Sequence, residues 1–215
     1  MKSVRIFYTK GGRMRFVSHL DMTRFMTRTV RRAGIPVWYT EGFHPHLYLT
    51  FALPLSLGFE STYEVMDLRL TDDGYPLERV AEALNGVFPP YVHVENVAEP
   101  VLKTGKIGYA EFDICLEDGG TLETPLREFL ALPQILCRKT TKKGAEKELD
   151  LAPKLTAYEV KKVNGNTVLH LTLPAGGKEN INPTLLLDVF FENQPTCAYR
   201  ITRTAILDEN KNLFR

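Results

Sequence analysis

The sequence predicts an α+β protein built as two ferredoxin-like half-domains, each running β-α-β-β-α-β, with antiparallel sheets covered by helices on one face. Three observations carry that expectation. Stretches that alternate with a period of two are interleaved with stretches whose apolar residues recur every three or four positions. Glu99 to Gly108, with Pro100, Gly105 and Gly108, reads as a joint near the middle of the chain, separating residues 1–100 from 107–215. The 215 residues, 44% hydrophobic and 25% charged, suffice for two small cores and have the balance of an ordinary globular protein.

In the first half, Val4, Ile6 and Tyr8 alternate with Arg5 and Phe7, the pattern of a strand buried on one side. Thr9 to Arg15 contains Gly11-Gly12 and reads as a turn. Ser18-His-Leu-Asp21 has the form of a capping box, so a helix begins near Ser18. Met22, Phe25, Met26, Val30 and Ala33 form its apolar face, and Arg24, Arg28, Arg31 and Arg32 lie on another. Gly34-Ile-Pro36 ends it. Val37 to Thr40 and Leu47 to Leu53 read as strand segments interrupted by Gly42-Phe-His-Pro-His46. Thr62 to Leu70 is a strand, Pro76 to Val87 a short helix and Tyr91 to Val97 a strand. The two helices are expected to cover one sheet face and leave the other free.

The second half repeats the order with one insertion. Tyr109 to Leu116 reads as a strand, Thr124 to Leu132 as a helix, and Ile135 to Thr141 as extended, before a Lys/Glu-rich loop to Leu149. Asn164-Gly165, between two alternating runs, is the strongest hairpin signal in the chain. A helix over Asn182 to Phe191 and a strand over Cys197 to Ile206 complete the half.

The net charge of +1 hides an asymmetry. Residues 1–50 hold nine basic and two acidic side chains; residues 51–100 hold two basic and nine acidic ones. Lys10, Arg13, Arg15, Arg24, Arg28, Arg31 and Arg32 are therefore the candidate phosphate-binding stripe, because a planar guanidinium fork matches phosphate oxygens. The competing reading is a solvated helix face paired with the acidic residues that follow. Phe7, Tyr8, Trp38, Tyr39, Phe43 and Tyr48 lie nearby in sequence, as stacking surfaces for bases or as core.

His19, His44 and His46, with Asp21, are the candidates for acid-base catalysis, metal binding or anion binding; His93 and His170 read as structural. Cys115, Cys137 and Cys197 are too dispersed for a zinc or iron-sulfur spacing, which points to a reduced cytoplasmic chain with no metal or cofactor motif. No apolar run reaches the roughly 20 residues of a spanning helix. The Met-Lys start runs straight into a strand pattern, unlike a secretory signal.

The runs Tyr8-Thr-Lys-Gly-Gly-Arg-Met-Arg-Phe-Val-Ser-His-Leu-Asp21, Arg31-Arg-Ala-Gly-Ile-Pro36, Glu41-Gly-Phe-His-Pro-His46 and Phe51-Ala-Leu-Pro-Leu-Ser-Leu-Gly-Phe-Glu-Ser61 resemble a bacterial family of unknown function, the radical-SAM-linked (radical-SAM-associated) domains. The likeness is strong over residues 2 to about 70 and weaker towards the C-terminus. It implies association with a radical-SAM enzyme, in the separate form, since the three-cysteine cluster motif is lacking. It brings no catalytic residues. A weaker likeness, in architecture, is to RNA-processing proteins of the CRISPR repeat-associated type.

Three functions follow as expectations. The first is a non-catalytic module that binds RNA or another polyanion through the basic stripe for a radical-SAM enzyme. The second is an endoribonuclease using His19, His44 or His46, and the third a protein-protein interaction domain without nucleic acid.

Overall fold

A computed structural model describes residues 1–140 and 146–215. The chain divides into two compact units, Met1–Lys106 together with Leu213–Arg215, and Ile107–Asn212. The architecture is mixed α+β, with antiparallel strand pairing and four α-helices among the described residues.

The first unit runs β1 (Lys2–Lys10), a 3-10 turn (Gly12–Phe16), α1 (His19–Arg32), β2 (Leu49–Phe51), β3 (Glu60–Leu70), α2 (Leu77–Asn85) and β4 (Val92–Ala98). β1 lies between β4 and β3, and Met66, Asp67 and Leu68 of β3 pair with both β1 and β2. Alternation explains the packing. Val4, Ile6 and Tyr8, with Met66, Leu68 and Leu70 of β3 and Val92 and Val94 of β4, meet Met22, Met26 and Val30 of α1 and Val80 and Leu84 of α2. This one core removes α1's apolar stripe from water and fixes which face of the helix looks outward.

The opposite sheet face, expected to be free, is covered over β1. Arg5 and Phe7 are only 1% and 6% exposed, so β1 is buried on both sides. The cover consists of residues 101–102 and the last three residues, Leu102 N donating to Arg215 O at 2.8 Å and the Tyr63 hydroxyl to Phe214 O at 2.9 Å. Arg5 tolerates this burial because its donors are occupied: Nε and Nη2 reach Asp67 Oδ1 and Oδ2 at 2.8 Å each, and Nη1 reaches Leu102 O at 2.9 Å. The Phe214 ring lies 4.5 Å from the guanidinium carbon.

The expected strand around residues 37–53 is cut down to Leu49–Phe51. Val37 and Tyr39 make only isolated bridges, to Leu70 and Leu47. Trp38 N donates to Arg69 O, Tyr48 N to Trp38 O and Thr40 N to His46 O, which leaves 41–45 as the tip of a narrow ribbon. Proline at 45 has no amide hydrogen to extend the pairing.

The second unit runs β5 (Ile107–Leu116), α3 (Glu123–Leu130), β6 (Leu136–Thr140), β7 (Glu146–Asp150), β8 (Ala157–Val163), β9 (Asn166–Pro174), α4 (Thr184–Phe191) and β10 (Tyr199–Asp208). Its sheet order is β10-β5-β9-β8, and β6 with β7 forms a separate hairpin. Part of the Lys/Glu-rich loop expected before Leu149 falls at 141–145, outside the described residues, and Glu146–Asp150 is a strand. Asn164 (φ 51) and Gly165 (φ 81) turn β8 into β9 with the positive angles of a two-residue hairpin. Leu122, Leu126 and Leu130 of the α3 region and Leu186, Leu187 and Phe190 of α4 are buried, with Phe129 and Phe190 rings 5.3 Å apart.

Among the described residues no helix is long and apolar enough to cross a membrane, and Cys115, Cys137 and Cys197 form no disulfide.

Candidate functional site

The outward face of α1 is set by its cap. Ser18 Oγ accepts from Asp21 N at 3.2 Å and donates to Asp21 Oδ2 at 2.8 Å. The Ser18 hydroxyl, together with Arg24, holds the Asp21 carboxyl below its ordinary pKa. From this start, residues four apart share a face, and Arg24, Arg28 and Arg32 stand in one row. With Asp21, Phe25 and Thr29 they line a groove of about 520 Å³. Phe25 stacks on Phe88 with ring centroids 5.9 Å apart.

The row is uneven in its commitments. Arg24 Nη1 lies 3.1 Å from Asp21 Oδ1, an exposed i,i+3 pair of the kind that contributes little. Arg32 Nη2 donates to the Val87 carbonyl. Arg28, exposed on the lining of the groove, has no hydrogen bond or ion pair among the described residues, so its donors are uncommitted. Three guanidinium groups against one carboxylate leave a local surplus of positive charge.

The other four candidates behave differently. Lys10 is 3% exposed and its Nζ donates to Val17 O at 3.3 Å, so its charge holds the turn into α1 and is not part of an open stripe. Arg5, which adds to the basic count of residues 1–50, is likewise interior. Arg15 lies 3.5 Å from Glu60 Oε1, which also accepts from Gly12 N, and covers the Phe16 ring at 4.7 Å. Arg31 turns to Tyr39, with Nε 3.0 Å from the hydroxyl and the guanidinium 5.3 Å from the ring. Arg13 is exposed, without a partner among the described residues. Three of the seven cations thus share the groove.

The histidines have separate contacts. His19 meets the edge of Phe51 at 5.2 Å. His46 Nδ1 lies 2.9 Å from Thr40 Oγ1 and 3.2 Å from the His44 carbonyl, and its amide donates to Thr40 Oγ1 at 3.1 Å. Among the described residues no hydrogen bond links two of these imidazoles, and no group of three or more His, Cys, Asp or Glu side chains is placed to hold a metal ion. Of the nearby aromatics, Phe7 and Tyr8 are buried, and Trp38 and Tyr48 flank Arg69 at 5.4 and 4.6 Å. Phe43, at the ribbon tip, is fully exposed.

Sequence reading missed two groupings. His170 Nδ1 sits 2.7 Å from Asp113 Oδ1, both side chains partly exposed. They are directly opposite on β9 and β5, a juxtaposition that strand alternation cannot reveal without the register. The other is a cleft beside Phe7 and Tyr63, on the sheet face away from the helices.

A family model described as "Uncharacterized protein conserved in bacteria (DUF2344)" matches residues 3–183. No curated protein matches the chain.

Proposed function

We propose that this chain, which belongs to that bacterial family of uncharacterized proteins, is a non-catalytic recognition module that binds RNA or a similar polyanion along α1 and serves a radical-SAM enzyme. The observation that carries the reading is the row Arg24, Arg28 and Arg32, exposed along one groove with a single carboxylate among them. Successive guanidinium groups one helical turn apart, roughly 6 Å, suit the spacing of phosphates along a single strand. Phe25 in the groove adds an apolar surface, and the fully exposed Phe43 offers a ring on which a base can stack. The radical-SAM partnership rests on the sequence resemblance of residues 2 to about 70.

Each unit reads as ferredoxin-like. The order β-α-β-β-α-β, with β4-β1-β3-β2 in the first and β10-β5-β9-β8 in the second, supports that assignment, the β6-β7 hairpin being an insertion.

Filter binding of a single-stranded RNA at low salt tests the reading. Retention of RNA by the purified chain, lost when Arg24, Arg28 and Arg32 are changed to Gln, is the expected result. Absence of binding at low salt removes it. Gel analysis of the same RNA separates recognition from catalysis: intact RNA is expected, whereas cleavage that disappears on changing His19, His44 and His46 would establish the endoribonuclease instead. Co-purification with a co-expressed radical-SAM enzyme tests the partnership.

A further inference from the structure

The sheet face of the first unit that carries no helices holds a second site. β1 and β4 pair as Phe7 with Asn96 and Tyr8 with Val94, so Glu95 is an extra residue in β4. Such a bulge re-aims side chains and breaks the alternation of the strand. Here two consecutive polar residues, Glu95 and Asn96, both line one cleft of about 480 Å³. That volume lies within the roughly 300–1,000 Å³ of small-molecule sites.

The floor is aromatic, with Arg215 also on the lining. The Tyr63 ring lies 5.5 Å from the buried Phe7 ring, their planes tilted by 46°. The Tyr63 hydroxyl is already donated to Phe214 O, and Arg5, on the same face of β1 as Phe7, is neutralised by Asp67. In contrast, the side chains of Glu95 and Asn96 make no hydrogen bond or ion pair among the described residues. A carboxylate only accepts; an amide both donates and accepts. Two uncommitted groups of this kind beside a pair of rings match a flat ring whose edge bears adjacent N–H donors and a nearby acceptor.

We propose that this cleft binds a guanine-like heteroaromatic base, its face on the partly exposed Tyr63 ring with Phe7 at the back of the cleft, its ring N–H and amino group on the Glu95 carboxylate and its carbonyl on the Asn96 amide. Glu99 and Arg215 also line the cleft; the two carboxylates of Glu95 and Glu99 against one guanidinium disfavour a phosphate at the β4 wall, so the base is the part recognised there. The site does not depend on the α1 row: it lies on the opposite face of the same sheet, and each can fail without the other.

The test is titration of the isotope-labelled full chain with guanosine, inosine and uridine, followed by amide chemical shifts, with a short guanosine-containing RNA as a separate arm. Guanosine is expected to shift the amides of Phe7, Tyr63, Glu95 and Asn96. Inosine, lacking the amino donor, is expected to bind roughly tenfold more weakly, and Glu95→Gln to lose about as much for guanosine. Ala98→Phe, which fills the cleft from a partly exposed position, is expected to abolish the shifts while leaving the rest of the spectrum in place. Shifts from free guanosine assign a free-base site, and shifts from the RNA alone assign a base of a bound strand; either supports the cleft. The proposal is overturned if neither ligand shifts these amides, or if guanosine, inosine and uridine bind alike and Glu95→Gln changes nothing.

Discussion

Asp67→Leu is expected to be among the most damaging single changes on the sheet of the first unit, because it strands a buried charge. Arg5 is 1% exposed and its one anionic partner among the described residues is Asp67, whose two oxygens take Nε and Nη2 at 2.8 Å each. With the carboxylate gone, the guanidinium keeps the Leu102 carbonyl and the Phe214 ring, neither of which carries a negative charge. Removing one partner of a buried pair costs about 3–5 kcal/mol, and the 17% exposure of the Asp67 side chain places the expectation near the lower end, about 3 kcal/mol. The double change Arg5→Met with Asp67→Leu removes both charges and leaves only the Leu102 carbonyl short of a donor, at about 1–2 kcal/mol. It should therefore be more stable than the single variant. Trp38 is the only tryptophan and belongs to the first unit, 5.4 Å from Arg69, so urea titration followed by its fluorescence reads this unit selectively. A loss below about 1 kcal/mol for Asp67→Leu, or a double variant no more stable than the single one, would refute the reasoning.

Two further outcomes follow from local geometry. In the second unit, burial tends to raise the Asp118 pKa, but donation from the Thr167 amide, the Leu122 amide, the Thr167 hydroxyl and the Gly120 amide outweighs it and brings the value from 3.8 to about 2. A depressed carboxyl stabilises the fold above its unfolded pKa and stops doing so as pH falls from about 4 to 2. The shift corresponds to roughly 2.4 kcal/mol, reduced to about 1 kcal/mol for the group's exposure. Acid titration by near-UV circular dichroism should show that component in the wild type and not in Asp118→Asn. In the first unit, Gly12 has φ +51 and a Cβ there would lie 2.4 Å from Tyr91 Cδ1. Gly12→Ala is expected to destabilise by about 1–3 kcal/mol in the Trp38 urea assay, since both the backbone and the ring must adjust.

What could be read in the sequence was what is decided locally. Ser18 and Asp21 are three residues apart and cap α1 as their spacing implies; Asn164-Gly165 turns the chain where that dipeptide stands. The periods of two and 3.6 placed most element centres, with bounds differing by a few residues at each end. The misses are long-range. Nothing near Arg5 announces that Asp67, Leu102 and Phe214 will enclose it, and an alternating strand pattern assigns it to solvent. Lys10 is a nearer case: its burial depends on how the turn that follows folds back to bring the Val17 carbonyl to its Nζ, which charge pattern does not show. Nothing in the sequence of β4 shows that Glu95 and Asn96 line one cleft, because a bulge is a property of a pair of strands. The groove of α1 lay between these cases. Helical spacing put Arg24, Arg28 and Arg32 in a row, but only the structure separated them from Arg31, which its contact with Tyr39 draws aside.

The claim that three guanidinium groups of α1 act together on phosphates is tested most directly by the salt dependence of RNA binding. Three neutralised phosphates on a single strand give a slope of about −2 in log affinity against log salt concentration. The wild-type chain should show it, and the variant with Arg24, Arg28 and Arg32 changed to Gln should lose most of it. A slope that is the same in both chains would contradict the account.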